Sequence, residues 1–301
     1  MLRLFLMNQD RGSAQKVFIM ERILVAGATG YLGQFIVKEL KNRGYWVRVL
    51  IRKAEQAKLF TDVDDYFIGN VTCLQSLDGV CQDIDWVFSS IGITRQKDGM
   101  TYMDVDYKGN SHLLYEALKS GADSFQYVSA ISGDQMRQLK IFEAKEMFVD
   151  ELKAAKIKHS IIRPNGFFSD MRDFLDMAKG GRVYLFGGGN FRMNPIHGED
   201  LATFCIDQLE KGTPEISIGG SETFSHNELA KLALKAWNKP IKIIHLPDWT
   251  RRFTIWLMRT FTSSKTYGPI EFFLTAMASD QVVEGYGCRR LEDFFKSEVN
   301  K

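Results

Sequence analysis

Six short apolar runs alternate with helical patterns through the first half of the chain, and this alternation constrains the fold most. The runs, each typical of a buried strand, are ERILVAG (21–27), YWVRVLI (45–51), DYFIG (65–69), DWVFSSIG (85–92), SFQYVSA (124–130) and KHSIIRP (158–164). Segments such as YLGQFIVKELKNRG lie between them, with apolar residues spaced along one helix face. This alternation predicts an α/β fold, a doubly wound parallel sheet covered by helices on both faces.

The turn after the first run is GATGYLG, in which glycines recur at every third position between a strand and a helix. Glycine permits a tight turn and a close approach of the backbone to a pyrophosphate, while the helix N-terminus offers N–H donors to an anion. We therefore predict a Rossmann dinucleotide site. Its cofactor-binding residues here would be Gly27, Thr29, Gly30, Tyr31, Leu32 and Gly33. A turn that merely packs the helix on the strand is the alternative.

The end of the second strand bears on the type of cofactor. A site that prefers NAD carries an acidic residue about 20 residues after the glycine turn, where it binds the ribose hydroxyls. This chain has Arg52 and Lys53 there. Because a guanidinium suits a 2′-phosphate in charge and geometry, we expect NADP(H) to be preferred and NAD(H) to be possible. An Arg52 that is simply solvated at a strand end is the alternative.

Composition and charge exclude several classes of protein. A formal charge of +2, evenly spread over 301 residues, gives no concentrated basic footprint for nucleic acid. The four cysteines and five histidines show no metal-ligand spacing, which indicates a reducing, cytoplasmic setting and no structural metal. No run reaches the ~18 apolar residues of a membrane span, so we expect no membrane association. The nearest stretch, FTIWLMRTF (253–261), is expected to be a core or lid helix rather than an interfacial one.

The regular alternation of strand and helix patterns ends after Pro164, and the chain is predicted to have three segments. Residues 1–20 are predicted to be an N-terminal extension, residues 21–165 the Rossmann domain, and residues 166–301 a smaller C-terminal α/β substrate lobe interleaved with the Rossmann core. In this last segment the strand-like EISIGG leads into SHNELAKLALKAW, which begins with a capping box of Ser225 and Glu228. A cleft between the two larger segments is expected.

Lys145 falls in the apolar stripe of the helical segment QLKIFEAKEMF (138–148). At about 100° per residue it shares a face with Ile141 and Phe148, while Glu143 lies opposite. We therefore expect Lys145 to face protein or ligand. The alternative is a lysine whose stem covers apolar surface and whose ammonium reaches solvent.

Together these residues resemble the atypical branch of the short-chain dehydrogenase/reductase superfamily, in particular its NmrA-like and extended epimerase-like members. The resemblance covers residues 21 to about 295 and rests on GATGYLG, DVDYKGNSHLLYEA (104–117), YVSAISG, IIRPNGFF (161–168) and NPIHGEDLA (194–202). It implies further cofactor contacts along the carboxyl edge of the sheet. These are Asn70, Val71, Ser90, Ile91, Gly92, Lys145, Pro164, Asn165, Gly166 and Phe167.

The resemblance also implies a role for Lys145. In catalytic members this lysine binds ribose hydroxyls and lowers the pKa of a tyrosine four residues earlier, which exchanges a proton with the substrate. Here that position is Ile141, which cannot exchange a proton. We take Lys145 and Ser129 as candidate catalytic residues, with Ser132 on the other side of the expected serine position. Lys145 would itself serve as the acid if burial lowers its pKa.

Two functions follow as hypotheses. The first is an NADPH-dependent reductase of a hydrophobic small molecule that is unsaturated or carries a carbonyl, and vinyl-reducing enzymes of chlorophyll synthesis show a loose resemblance to the C-terminal half. An apolar pocket would be formed by Phe167, Phe168, Phe174, Trp249, Phe253 and Trp256. The alternative is a non-catalytic NADP(H)-binding protein of regulation or assembly; a membrane-associated assembly factor anchored by residues 249–261 is the weakest hypothesis. The expected partner is a small-molecule substrate or effector, and the expected state is a monomer or homodimer.

Overall fold

The computed structural model describes residues 20–94 and 99–301, and its centre is an eight-stranded parallel sheet. The strands are Arg22–Ala26 (β1), Trp46–Ile51 (β2), Asp65–Ile68 (β3), Trp86–Ser89 (β4), Ser124–Val128 (β5), Lys158–Pro164 (β6), Glu215–Gly220 (β9) and Gly285–Tyr286 (β12). Their order across the sheet is β3-β2-β1-β4-β5-β6-β9-β12. All six strands predicted from the first half are confirmed, with ends shifted by up to three residues.

Helices cover both faces of the sheet, so the predicted doubly wound α/β fold is confirmed. Helices Tyr31–Asn42 (α1) and Gly198–Lys211 (α5) pack on one face, and Asn110–Ser120 (α2) and Lys140–Ala154 (α3) pack on the other. Strand β1 shows why: Ile23 and Val25 belong to the first core, whereas Leu24 and Ala26 belong to the second. Alternate strand residues point to opposite faces, and a strand buried on both sides is apolar throughout.

The second half of the chain adds a smaller group of elements beside the sheet. They are Arg172–Lys179 (α4), Val183–Phe186 (β7), Arg192–Met193 (β8), Phe224–Ser225 (β10), His226–Ala236 (α6), Ile243–Leu246 (β11), Asp248–Phe261 (α7), Ser264–Ala276 (α8) and Leu291–Val299 (α9). Strands β7 and β11 pair in parallel, and β8 and β10 pair antiparallel. A third apolar core joins α4, α6 and α9 through residues such as Phe174, Leu229 and Phe295.

The capping box predicted at the start of α6 is confirmed. Glu228 N donates to Ser225 Oγ at 3.2 Å, and Ser225 N donates back to a Glu228 carboxylate oxygen at 2.7 Å. These bonds satisfy backbone N–H groups that a helix start otherwise leaves unpaired. The predicted extension at residues 1–20 lies outside the described residues apart from Met20, and the predicted segment boundaries stay predictions.

Helix α7 differs from its prediction. The sequence predicts a core or lid helix for residues 253–261; α7 has no buried residue, so the core interpretation is wrong and the lid interpretation stays a prediction. Its apolar residues are compatible with a helix face, and the rest of the fold leaves that face uncovered. Within the described ranges, no helix is long and apolar enough to cross a bilayer.

Candidate functional site

The strand order places a crevice where β1 meets β4. From β1 the chain continues outward to β2 and β3 on one side, and β4 begins the other side, so the loops after β1 and β4 diverge. The register pairs Ala26 with Ser89, which brings Gly27 beside Ser90 at the carboxyl edge. Ser90 N donates to Ala26 O at 3.1 Å and ties the two loops together. Ligands of open α/β sheets bind at such a point of divergence.

The glycine turn closes over this crevice without room for side chains. Gly30 N donates to Gly27 O at 2.9 Å, and Gly27 has a φ of +85°, a conformation that favours glycine. A Cβ on Gly27 would lie 2.7 Å from Ser90 Oγ, and one on Gly33 would collide with the Gly27 carbonyl oxygen. These close contacts satisfy the conditions that a dinucleotide turn needs: backbone exposed to the ligand and a helix held tightly behind it.

The other residues predicted in this turn have distinct positions. Tyr31 begins α1; its hydroxyl accepts a hydrogen bond from Gly198 N at 3.1 Å, and its ring centre lies 5.8 Å from that of Phe167. Leu32 is buried in the core, and Thr29 O accepts a bond from the Gln34 side chain at 3.2 Å. The Tyr31–Phe167 contact brings the glycine turn together with the turn from Pro164 to Phe167, which the resemblance named among the cofactor contacts.

Arg52 and Lys53 follow β2, the neighbour of β1, and both are exposed. Their backbone N–H groups both donate to Gln56 Oε1, at 2.9 Å and 3.1 Å, which fixes the loop. The two side chains thus project from the carboxyl edge one strand away from the glycine turn. This is the place that the sequence predicted for binding a 2′-phosphate.

Asn70 and Val71 follow β3 in a turn closed by hydrogen bonds. Asn70 Oδ1 accepts from Thr72 N at 3.2 Å and from Thr72 Oγ1 at 3.0 Å. Val71 is buried, and its carbonyl oxygen lies 2.7 Å from His112 Nδ1. The turn is therefore fixed against α2 at the carboxyl edge.

The turn from Pro164 to Phe167 is anchored through buried Asn165. Asn165 Nδ2 donates to Asn194 Oδ1 at 2.8 Å and to Gln281 O at 2.5 Å, and Gly166 N donates to Asn165 Oδ1 at 2.7 Å. Asn165 thus joins the end of β6 to the segments around β8 and β12. The backbone of the turn is bonded within the protein as well, since Asn165 N donates to Ile218 O at 2.8 Å and Phe167 N donates to Asp170 Oδ2 at 2.9 Å.

Lys145 is buried, and its partner is one that the sequence analysis missed. Its ammonium lies 2.9 Å from Asp106 Oδ1, on a side chain that is fully buried. The other Asp106 oxygen accepts from Ile93 N at 3.1 Å. A Cβ on Gly92 would lie 2.7 Å from both Lys145 Nζ and Asp106 Oδ1. The lysine therefore reaches the loop after β4, and the alternative of a lysine whose ammonium reaches solvent is excluded.

Asp106 also decides the charge of this lysine. Burial by itself lowers the pKa of Lys145, but the Asp106 carboxylate outweighs burial, and the pKa lies above its ordinary value. The same burial raises the pKa of Asp106, and the ammonium opposes that rise. The idea that burial would make Lys145 a proton donor near neutral pH is therefore wrong. Lys145 is a fixed cation.

The aspartate is placed by a π-helical segment, Met103–Gly109, that runs into α2. Asn110, one helical turn after Asp106, is also buried; it donates to Asp106 O at 2.8 Å and accepts from Ser89 Oγ at 2.5 Å. The ring of Tyr127 lies beneath the lysine, 5.7 Å from its nitrogen, and burial raises the pKa of Tyr127 to about 12. The sequence feature that could have identified Asp106 and Asn110 is their spacing, because two polar residues four apart lie on the same side of a helix.

Ile141 occupies the position of the missing tyrosine. It is buried in an apolar cluster with Tyr102, Leu139 and Phe142, and Ile93 and Phe272 pack against that cluster. A buried apolar cluster thus lies one helical turn from Lys145, at the position where the resemblance implies a tyrosine.

The hydroxyl of Ser129 is engaged in a buried charged network. It donates to Glu146 Oε1 at 3.1 Å and accepts from Arg163 Nη1 at 3.4 Å, while Arg163 holds both Glu146 oxygens at 2.6 Å and 2.8 Å. Its catalytic role stays a prediction.

The predicted apolar pocket is not assembled. Phe168 and Phe174 are buried in the third core, and Phe167 is half-buried beside Tyr31. Trp249, Phe253 and Trp256 are exposed on α7. The apolar surface near the lysine comes instead from the cluster around Ile141.

Comparison with known proteins decides the family. A family model described as NAD(P)H-binding matches residues 27–212, which include the glycine turn, Asp106 and Lys145. The chain belongs to this NAD(P)H-binding family. Solved structures of similar fold include the NADPH-dependent quinone oxidoreductase QOR2 of Escherichia coli in complex with NADPH. Its TM-score is 0.72 at 12% identity, and the match covers 92% of this chain and 98% of that one. A nucleoside-diphosphate-sugar epimerase of Staphylococcus aureus is among the neighbours as well, so the fold expected from the resemblance to epimerase-like proteins is confirmed.

Two relatives of this NAD(P)H-binding protein carry different functional names. Divinyl chlorophyllide a 8-vinyl-reductase of Arabidopsis thaliana, a chloroplastic protein, is 26% identical and covers 93% of this chain and 77% of its own length. Photosystem II assembly factor Ycf39 of Synechocystis is 23% identical and covers 80% of this chain and 74% of its own. One name denotes a reductase and the other an assembly factor.

The residues present fit a bound dinucleotide. Gly27 and Gly33 pack too closely against Ser90 and the turn's own backbone for any side chain, as a tight dinucleotide turn requires, and Gly92 lies directly against the Lys145 ammonium. The individual cofactor contacts named from the sequence stay predictions.

Proposed function

We propose that the protein is an NADP(H)-dependent reductase of a hydrophobic small molecule that carries a carbon–carbon double bond or a carbonyl group. The observation that carries this proposal is the buried Lys145 ammonium, held 2.9 Å from Asp106 at the carboxyl edge beside Gly92. A fixed cation at this point suits the ribose hydroxyls of a nicotinamide cofactor. The names of the vinyl-reductase relative and of the quinone oxidoreductase neighbour support a reductase.

In this proposal the glycine turn, the basic pair after β2 and Lys145 each bind a different part of the cofactor. The turn from Gly27 to Gly33 binds the pyrophosphate through backbone N–H groups, and Arg52 with Lys53 binds the 2′-phosphate of NADP(H). Bound NADPH would supply a hydride, and water would supply the proton that completes the reduction, because Lys145 keeps its own proton. Lys145 orients the ribose and keeps a positive charge near the reacting atoms, because Asp106 holds its proton in place.

The chemical class of the substrate follows from the surface near Lys145. In the apolar cluster next to Lys145, Ile93 is half-buried and can contact an apolar molecule, whereas Ile141 and Phe142 are buried behind it. Burial of such a surface favours an uncharged, poorly hydrated substrate. We propose a cytoplasmic location and a monomer or homodimer for this enzyme.

A second function is favoured by one observation, the isoleucine at position 141. Without a hydroxyl there, the site holds a cofactor but lacks the usual proton donor. A non-catalytic, NmrA-like NADP(H)-binding protein of regulation or assembly agrees with this and with the name of the assembly-factor relative.

The test follows NADPH oxidation by absorbance with a panel of enones, quinones and aldehydes. We expect slow turnover with at least one class, and Lys145→Ala should remove it. Lys140→Ala is the matched control, because Lys140 lies on the same helix but is exposed and pairs with Glu143. Tight NADPH binding without turnover of any compound would instead support the second function. Absence of NADPH binding would contradict both.

A further inference from the structure

Helix α7 exposes a continuous aromatic stripe. Trp249, Phe253, Trp256, Leu257 and Phe261 have exposed fractions between 39% and 73%. At about 100° per residue they share one face of the helix. Their rings lie side by side: the Trp249 and Phe253 centres are 6.5 Å apart, and those of Phe253 and Trp256 are 5.7 Å apart. A contiguous apolar patch of this kind marks an interaction surface.

The opposite face of α7 holds the helix in place. Arg251 pairs with Asp248 at 2.7 Å and donates to Leu274 O of α8 at 3.4 Å, and Arg259 forms an ion pair with Glu271 of α8. Helix α8 in turn packs on the lysine-bearing helix α3. Because α8 holds the opposite face of α7, the aromatic stripe points away from the protein.

The surroundings of the stripe are basic. Between residues 239 and 270 the chain carries six lysines and arginines, of which Arg251 and Arg259 are paired with Asp248 and Glu271. The other four basic residues are Lys239, Lys242, Arg252 and Lys265. Arg252 is exposed and lies next to the stripe on the helix surface. Tryptophan and phenylalanine rings flanked by arginine fit the boundary between lipid headgroups and acyl chains. The positive charge fits anionic headgroups.

We propose that α7 docks this protein flat on an anionic membrane surface, with the stripe from Trp249 to Phe261 inserted at headgroup depth. A second copy of the chain is a poorer occupant, because a two-fold contact through this face would bring two basic surfaces together. From the sequence, membrane association was not expected, since no segment is long enough to span, and anchoring by residues 249–261 was the weakest hypothesis. Docking needs no span, and the exposed side chains, which the sequence could not show, favour it. This proposal does not depend on the catalytic one.

The experiment measures co-sedimentation of the full chain with vesicles. We expect binding to vesicles of equimolar phosphatidylcholine and phosphatidylglycerol, weak binding to phosphatidylcholine alone, and a loss of binding at high salt. The double variant Trp249→Ala with Trp256→Ala, and separately Arg252→Glu, should each weaken binding by about tenfold or more. Tyr115→Ala is the matched control, because Tyr115 is a similarly exposed aromatic residue on α2.

Three results would overturn the proposal. They are no binding to either vesicle, equal binding to both, and a dimer in solution that the double tryptophan variant abolishes. The salt dependence of the unaltered chain needs no variant, so misfolding cannot hide the answer. Thermal shift with NADPH should be the same for Arg252→Glu as for the unaltered chain, which separates failure of docking from failure of the proposed reductase site.

Discussion

The ammonium nitrogen of Lys145 lies 2.9 Å from a carboxylate oxygen of Asp106, and both side chains are inside the protein. The pair joins α3 to the π-helical segment before α2, and Asp106 also holds the loop after β4 through Ile93 N. Buried charges of opposite sign stabilise each other, but removal of one leaves the other without compensation. The pair therefore fixes both the geometry and the charge of the candidate site.

The first prediction concerns this pair. Asp106→Asn should destabilise the protein by about 3–5 kcal/mol, because it leaves a buried ammonium without its counter-charge. Asp104→Asn is the control; Asp104 lies two residues earlier and is partly exposed, so its loss should cost about 1 kcal/mol or less. Urea unfolding measures both. Equal effects of the two variants would contradict a buried ion pair.

The second prediction concerns Gly92. An alanine there would place Cβ 2.7 Å from both Lys145 Nζ and Asp106 Oδ1, so Gly92→Ala should cost about 1–3 kcal/mol and weaken NADPH binding. Gly180→Ala is the matched control, since its Cβ would meet its nearest neighbour at an ordinary 3.4 Å. Thermal unfolding and NADPH titration should separate the two variants. Full NADPH affinity in Gly92→Ala would argue that the cofactor lies elsewhere.

The third prediction separates two roles for Ser129. Because its hydroxyl donates to Glu146, Ser129→Ala should lower the free energy of unfolding by about 1–2 kcal/mol. We expect kcat for NADPH oxidation to change little, since the Ser129 hydroxyl is already hydrogen-bonded to Glu146 and Arg163. A large fall in kcat with unchanged stability would instead establish Ser129 as catalytic.

The fourth prediction concerns cofactor preference. Arg52→Ala should weaken NADPH binding by about tenfold or more and leave NADH binding unchanged, because only NADPH carries the 2′-phosphate. Lys58→Ala, an exposed lysine in the short helix Ala54–Leu59, is the control. Isothermal titration gives both affinities. A parallel loss for NADPH and NADH would remove the basis for the proposed NADP(H) preference.

The fifth prediction is a pH dependence. Burial lowers the pKa of His226 to about 4, below its ordinary value of 6.5. As the pH falls below about 6.5 the unfolded chain takes up a proton that the folded chain binds only near pH 4, so stability falls through this window by up to about 3 kcal/mol. His226→Gln should flatten this part of the curve. Urea unfolding of both chains between neutral pH and pH 4 measures the difference.

The sequence by itself determined the sheet and its glycine turn. Apolar runs with β-branched residues form strands wherever both faces are covered, and GATGYLG leaves no alternative to a tight turn before α1. The same local logic placed the capping box of Ser225 and Glu228. These features depend on residues close together in the chain, so periodicity and spacing sufficed.

Tertiary structure decided what surrounds Lys145 and what covers α7. The partner of Lys145 is Asp106, which lies 39 residues earlier in the sequence. The residue pattern of a single helix cannot reveal a contact between residues so far apart. Likewise an apolar helix face has the same sequence whether it is buried or bare, and only the packing of α8 on one side left Trp249 and Trp256 exposed. Charge state and exposure depend on neighbours brought together from distant parts of the chain, which is why the fold had to be known first.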